Sequence, residues 1–168
     1  MSKSHLDIVV QSKINIKNIL HNLTKGTISS SDAYIIAINS CKIEQAIMEA
    51  DMPRILKAVL PIGYQQVTIS KTPGIEPHWH YQYRDKICRA SNSRVNTDFF
   101  FNDDYSGLSG VLYSRTSLFN RPPRMGNNFL FIHNPLARNP IPYGFFKLGI
   151  EYSVKVEPDS FSLSKKEW

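Results

Sequence analysis

Two neighbouring polar residues, His133 and Asn134, have the side chains of a catalytic pair. They close an apolar run, 129–132, and three prolines follow within eight residues. Loops held on rigid strand ends are where functional sites concentrate, so both residues are candidates for a catalytic role. Asparagine before proline is equally a common turn starter, whose side chain bonds its own backbone. A site and a stiff turn therefore remain alternatives here.

Two further histidines, His78 and His80, form a His-x-His pattern on a predicted strand. Alternate strand residues share a face, so both imidazoles can reach one metal ion. A complete site needs another ligand, which Cys88 or His133 would have to supply. The alternative is a surface hairpin with two half-exposed histidines. The sequence specifies no cofactor, and His78 and His80 stay weak metal candidates.

Two other catalytic patterns are incomplete. Cys88, with His133 and Asn134, has the residue types of a cysteine-based triad, but no glycine-rich elbow surrounds Cys88. The run 10–13, Val-Gln-Ser-Lys, resembles the strand end that holds a divalent ion in restriction-like nucleases. Only Asp7 precedes it as a carboxylate, and the spacing of apolar residues around it is helical. The catalytic residues of the chain are therefore unknown.

Positive charge gathers in the second half of the chain. The formal net charge is +6, which favours a polyanionic partner. The stretch 105–150 contains no Asp or Glu. Its cations fall in or beside predicted loops and are the candidate nucleic-acid-binding residues: Arg115, Arg121, Arg124, Arg138 and Lys147. Loops on one edge of a sheet can gather them into one positive face, whereas scattered cations would be solvated separately.

Aromatic residues are interleaved with these cations, among them Tyr105, Tyr113 and Phe119. Arginines contact phosphates and aromatic faces stack on bases, so the mixture suits a nucleic-acid surface. It suits a β-rich core with a charged rim equally well. The two interpretations stay open on sequence grounds.

The pattern of apolar residues predicts one α/β domain over 1–156, followed by a polar C-terminal tail over 157–168. The tail is expected to be frayed, and the alternative is that Phe161, Leu163 and Trp168 dock on the domain. An amphipathic helix occupies the N-terminal residues, with apolar positions three and four apart between Leu6 and Leu23. A central mixed sheet has strands 34–38, 110–114 and 128–133 in its middle. A helix over 54–60, a hairpin of 66–70 with 78–84, and strands over 143–146 and 150–156 complete the prediction. An α+β arrangement is the alternative.

Three stretches together resemble a known family: 33–40, 95–114 and 129–142. In that order they are similar to the C-terminal half of a poorly characterised group of bacterial proteins. The N-terminal half of those proteins looks like a restriction-endonuclease fold. The resemblance implies a nuclease-like relative whose acidic metal centre is missing here or comes from another chain. It transfers no catalytic residue to these positions.

The expected function is a nucleic-acid-associated module without independent catalysis. The alternatives are a metal- or histidine-dependent hydrolase, such as a nuclease, and a protein-interaction subunit of the immunity or antitoxin kind. A protein partner could supply the catalytic half. Two cysteines without a Cys-x-x-Cys pattern indicate reduced thiols and a cytoplasmic protein. No leader peptide is expected, and no apolar run is long enough to span a membrane.

Overall fold

The computed structural model describes residues 25, 29–43, 52–88, 92–156 and 161–168, and strands dominate this part of the chain. The one α-helix of the described residues, α1 (Arg54–Val59), is short. Two 3-10 helices, Phe99–Phe101 and Asp103–Tyr105, precede the sixth strand. The strands are β1 (Ile35–Asn39), β2 (Ile62–Thr68), β3 (His78–Tyr83), β4 (Lys86–Cys88), β5 (Arg94–Asn96), β6 (Gly110–Ser114), β7 (Leu130–His133), β8 (Ile150–Val156) and β9 (Phe161–Glu167).

The main sheet has five strands in the order β1-β6-β7-β8-β9. The β1–β6 and β7–β8 pairs are parallel, and the β6–β7 and β8–β9 pairs are antiparallel, so the sheet is mixed. This register puts Ser114, Leu130 and Ile150 at one end of the sheet, which we call the Ser114 end. Gly110 and His133 pair at the opposite end, the Gly110 end.

The α/β prediction is wrong for the described residues, which are closer to an all-β fold. An α/β sheet usually joins parallel strands through helices. Between the parallel strands β7 and β8, however, the chain carries three prolines, which lack the N–H group that a helix interior needs. The connection is therefore an irregular segment, 134–149. The predicted N-terminal amphipathic helix lies outside the described residues.

One face of the main sheet forms the core. Ile36, Val111, Tyr113 and Ile132 point to this face and are buried. The helix α1 packs there because four of its six residues are apolar and buried, namely Ile55, Leu56, Ala58 and Val59. Two small antiparallel sheets, β2–β3 and β4–β5, accompany it. Ile62, Ile87 and Val95 join the same apolar cluster.

The opposite face of the sheet carries the odd-numbered side chains of β7 and β8, among them Phe131, His133 and Glu151. We call segment 134–149 the crossover segment, because it runs from the Gly110 end to the Ser114 end and covers these three residues. Over β1 and β6 the same face is more open, and Ala37 and Asn39 are exposed there.

Several element predictions are confirmed and others are wrong. The helix at Arg54 and the hairpin of β2 with β3 are present. The predicted strand at 143–146 is a turn instead. Strand β1 is an edge strand of the described sheet rather than a central one. Of the two alternatives for the tail, the docked one applies to Phe161–Glu167, since β9 pairs with β8 along its whole length.

Candidate functional site

The crossover segment contains a tight turn above strands β7 and β8. The Phe145 N–H donates to the Pro142 carbonyl at 3.1 Å. Gly144 has φ of 78° and occupies the position at which a type II turn needs glycine. A side chain there would also meet the indole of Trp168, because a Cβ atom would lie 2.7 Å from its ring. Both the positive φ and the close approach of Trp168 therefore require glycine at this position.

A buried carboxylate anchors this turn. Glu151 is fully buried on β8, and its Oε2 accepts a hydrogen bond from the Gly144 N–H at 2.7 Å. The same oxygen lies 3.9 Å from Nε2 of His133. That distance allows an ion pair but exceeds a hydrogen bond. The crossover segment is thus fixed to the sheet through Glu151.

His133 lies between aromatic rings beneath the turn. Its ring centroid is 4.6 Å from that of Phe131 and 5.4 Å from that of Tyr143. Burial lowers the pKa of His133 below its ordinary value of 6.5, and the Glu151 carboxylate partly opposes this shift. Nε2 is enclosed and has no hydrogen-bond partner within the described residues. An enclosed nitrogen is poorly placed to exchange protons with a substrate.

Asn134 has a structural role. Its side-chain N–H groups donate to the carbonyls of Tyr105 at 3.0 Å and Leu108 at 2.7 Å. Its Oδ1 accepts from the Leu136 N–H at 3.0 Å, which closes the turn expected before proline. All three hydrogen-bonding groups of this buried amide are occupied. Asn134 therefore joins the 3-10 region to the start of the crossover segment.

His80, Cys88 and His133, which the metal and triad hypotheses would combine, lie in three different sheets. His80 and Cys88 lie on β3 and β4 in the two small sheets, whereas His133 lies in the main sheet. The side chain of His78 is outside the described set. Among the residues that the structure describes, no group of three or more His, Cys, Asp or Glu side chains could hold a metal ion.

Four of the five candidate cations share one end of the main sheet. Loop 115–129 leaves β6 and enters β7 at the Ser114 end, and segment 147–149 enters β8 at the same end. The two loops touch, because a Cβ atom on Gly126 would lie 2.9 Å from Leu148. We call this surface the cationic edge, and it consists of Arg115, Arg121, Arg124 and Lys147.

The fifth cation, Arg138, lies at the opposite end of the sheet. Its N–H donates to the Ser106 carbonyl at 2.8 Å, and its Nε donates to the Ser106 hydroxyl at 3.2 Å. It follows His133 along the chain, at the Gly110 end. The sequence pattern alone could not separate Arg138 from the other four, because only the strand register assigns each loop to an end.

An open pocket adjoins the cationic edge. Its volume is about 710 Å³, and its lining is mostly apolar. Phe119 and Arg121 come from loop 115–129, and Leu112 and Asn39 come from the sheet. The pocket therefore joins a guanidinium group to an apolar surface at the Ser114 end.

The tip of loop 115–129 is held by its own side chains. Asn120 Oδ1 accepts from both the N–H and the hydroxyl of Ser117, and its Nδ2 donates to the Arg115 carbonyl at 3.1 Å. The Ser117 hydroxyl accepts from the Phe119 N–H at 3.2 Å. Phe119 is thereby presented on an ordered loop, although its ring is 99% exposed.

Glu151 is the site residue that sequence reasoning missed. Alternation along β8 puts its side chain opposite the core face, which predicts an exposed carboxylate. The sequence does contain one indication that Glu151 is buried. If β7 and β8 are parallel, the proline-rich segment between them must cross one face of the sheet and cover the side chains there.

No family model, curated protein or solved structure matches this chain. No described helix is both long enough and apolar enough to cross a membrane.

Proposed function

We propose that the chain binds nucleic acid through the cationic edge and has no catalytic activity of its own. The observation that supports this proposal most directly is the gathering of Arg115, Arg121, Arg124 and Lys147 at the Ser114 end. Loops 115–129 and 147–149 contain no Asp or Glu that could neutralise them. Arg121, Arg124 and Lys147 are exposed and can reach a phosphate backbone.

The acidic residue nearest in the strand register is Glu167, at the end of β9. Its carboxylate is 2.6 Å from the Lys165 ammonium, so this charge is largely matched on its own strand. Loops 115–129 and 147–149 therefore contribute only positive charge to this end of the sheet. The field of such charges attracts polyanions and raises their association rate.

The placement of the candidate catalytic side chains supports the non-catalytic part of the proposal. Nε2 of His133 is enclosed beside Glu151, and the Asn134 amide is occupied by backbone groups. Neither side chain lies on the cationic edge, since both stand at the Gly110 end of the sheet. A phosphate bound by the arginines would not meet an acid–base pair.

The test is a salt titration of binding to labelled DNA and RNA, with magnesium present. Each phosphate contact releases counterions, so contacts from the three exposed cations give a slope of about −2 to −3 for log K against log salt. We expect salt-sensitive binding and intact substrate. Cleavage of the substrate would overturn the non-catalytic part of the proposal, and lack of binding at low salt would overturn the proposal itself.

A further inference from the structure

Phe119 is an aromatic ring with no packing role in the described chain. It is 99% exposed, at the tip of a loop whose conformation is set by Ser117 and Asn120. A ring in full contact with water contributes nothing to the core. Holding it on an ordered tip lowers the entropy that a binding partner must overcome. The arrangement is that of a preformed contact residue.

The chemistry around Phe119 indicates a polyanionic partner. Arg121 lies two residues further along the same loop, and both side chains line the open pocket. The next cation along the chain is Arg124, and no carboxylate occurs in loop 115–129. A purely apolar partner would leave these charges without counterparts. A ligand that alternates flat apolar groups with anionic groups would satisfy both.

We propose that the cationic edge binds single-stranded nucleic acid, with an unpaired base stacked on Phe119 and adjoining phosphates on Arg121 and Arg124. This inference rests on the proposed function and names its substrate class. In a duplex the faces of the bases are covered by their neighbours, so an exposed ring can stack only on a base that is unpaired or terminal.

A second exposed ring stands on the crossover segment. Phe145 is 65% exposed and follows the Gly144 turn that Glu151 anchors. Its ring makes an edge contact with Phe146 at 5.1 Å, and Phe146 packs on Phe131 at 4.9 Å. Phe145 is therefore supported from the sheet side and open on the other. It offers a further stacking position close to Lys147.

The experiment compares a single-stranded oligonucleotide with the duplex of the same sequence, using three substitutions of Phe119. Stacking on one aromatic ring changes affinity by about tenfold to a hundredfold. We expect Phe119→Ala to lose that factor for the single strand and to leave duplex binding and the salt slope unchanged. Phe119→Trp should keep wild-type affinity, and Phe119→Leu should behave as Phe119→Ala, because leucine is apolar but cannot stack.

These measurements separate the contribution of stacking to the affinity from the contribution of charge. The ring is exposed, so the urea midpoint of all three variants should equal that of the wild type, and a loss of affinity will report the contact. Wild-type affinity in Phe119→Ala or Phe119→Leu would overturn the inference, as would equal binding of duplex and single strand. In those cases a steep dependence of binding on salt would still support phosphate binding at the cationic edge. Absence of any binding by the wild type would overturn the proposed function as well.

Discussion

The Gly144 N–H donates to Oε2 of Glu151 at 2.7 Å, which ties the crossover segment to the start of strand β8. The contact spans seven residues and is fully buried. It explains how a proline-rich connection without regular structure keeps one conformation over the sheet. The turn that it fixes presents Phe145 to solvent and covers His133.

We predict that Glu151→Ala lowers the free energy of unfolding by about 2–4 kcal/mol, because a buried N–H loses its acceptor and a cavity remains. Glu151→Gln keeps an oxygen for the hydrogen bond and removes a buried charge, so it should cost less than about 1 kcal/mol. Urea denaturation measures the loss of stability in both variants.

The control is Glu167→Ala, which removes an exposed carboxylate on the neighbouring strand and should have little effect on stability. Equal losses in the Ala and Gln variants of Glu151 would show that the charge, not the turn, is what the fold requires.

The pKa of His133 gives a pH-dependent stability. Because burial lowers this pKa below 6.5 in the folded chain, the unfolded chain binds more protons between the lowered value and 6.5. The contribution of neutral His133 to the free energy of unfolding is complete above about pH 6.5 and is lost as the pH falls through this window.

An NMR titration of the His133 imidazole should give a pKa below 6.5 in the wild type. In Glu151→Gln it should be lower still, since the carboxylate that favours the charged form is gone. A wild-type value above 6.5, or a rise in the variant, would contradict the description of this pair.

Asn134 should prove structural when it is replaced. Asn134→Asp is nearly isosteric, but it puts an oxygen against the carbonyls of Tyr105 and Leu108, where an amide now donates. We expect a loss of stability of about 2–4 kcal/mol, at least as large as that of Asn134→Ala. Thermal or urea unfolding measures the loss. Nucleic-acid affinity, determined at a temperature where the variants are folded, should stay at the wild-type level. A selective loss of affinity without a loss of stability would return Asn134 to the list of site residues.

The buried strands of the main sheet could be predicted from the sequence because their apolar content reflects local burial. Gly110–Ser114 and Leu130–His133 are both present, and their core-facing side chains, such as Val111 and Ile132, are among the least exposed. Strand β9 was missed because its residues alternate between apolar and polar only weakly. Its formation depends on pairing with β8, a contact that composition does not reveal.

The site was predictable only in part, for reasons of topology. The five candidate cations could be named from the sequence, but their distribution between the Ser114 and Gly110 ends depends on strand direction. The residues around Gly144 predict a strand because Tyr143 and Phe146 have high strand propensity. A positive φ at Gly144 and the carboxylate of Glu151 override that propensity, and both are consequences of the crossover.

We expect the cationic edge, rather than net charge alone, to bind the phosphate backbone. The most direct test compares two triple variants by salt titration of oligonucleotide binding. One replaces Arg121, Arg124 and Lys147 with Ala.

The matched control replaces Lys71, Arg94 and Arg138, three exposed cations that lie outside the cationic edge. Both variants change the net charge from +6 to +3 (6 − 3). We predict that the first variant reduces the magnitude of the slope of log K against log salt by about 2–3, and that the control changes it by less than about 1. Equal changes in the two variants, or an unchanged slope in the first, would contradict the claim.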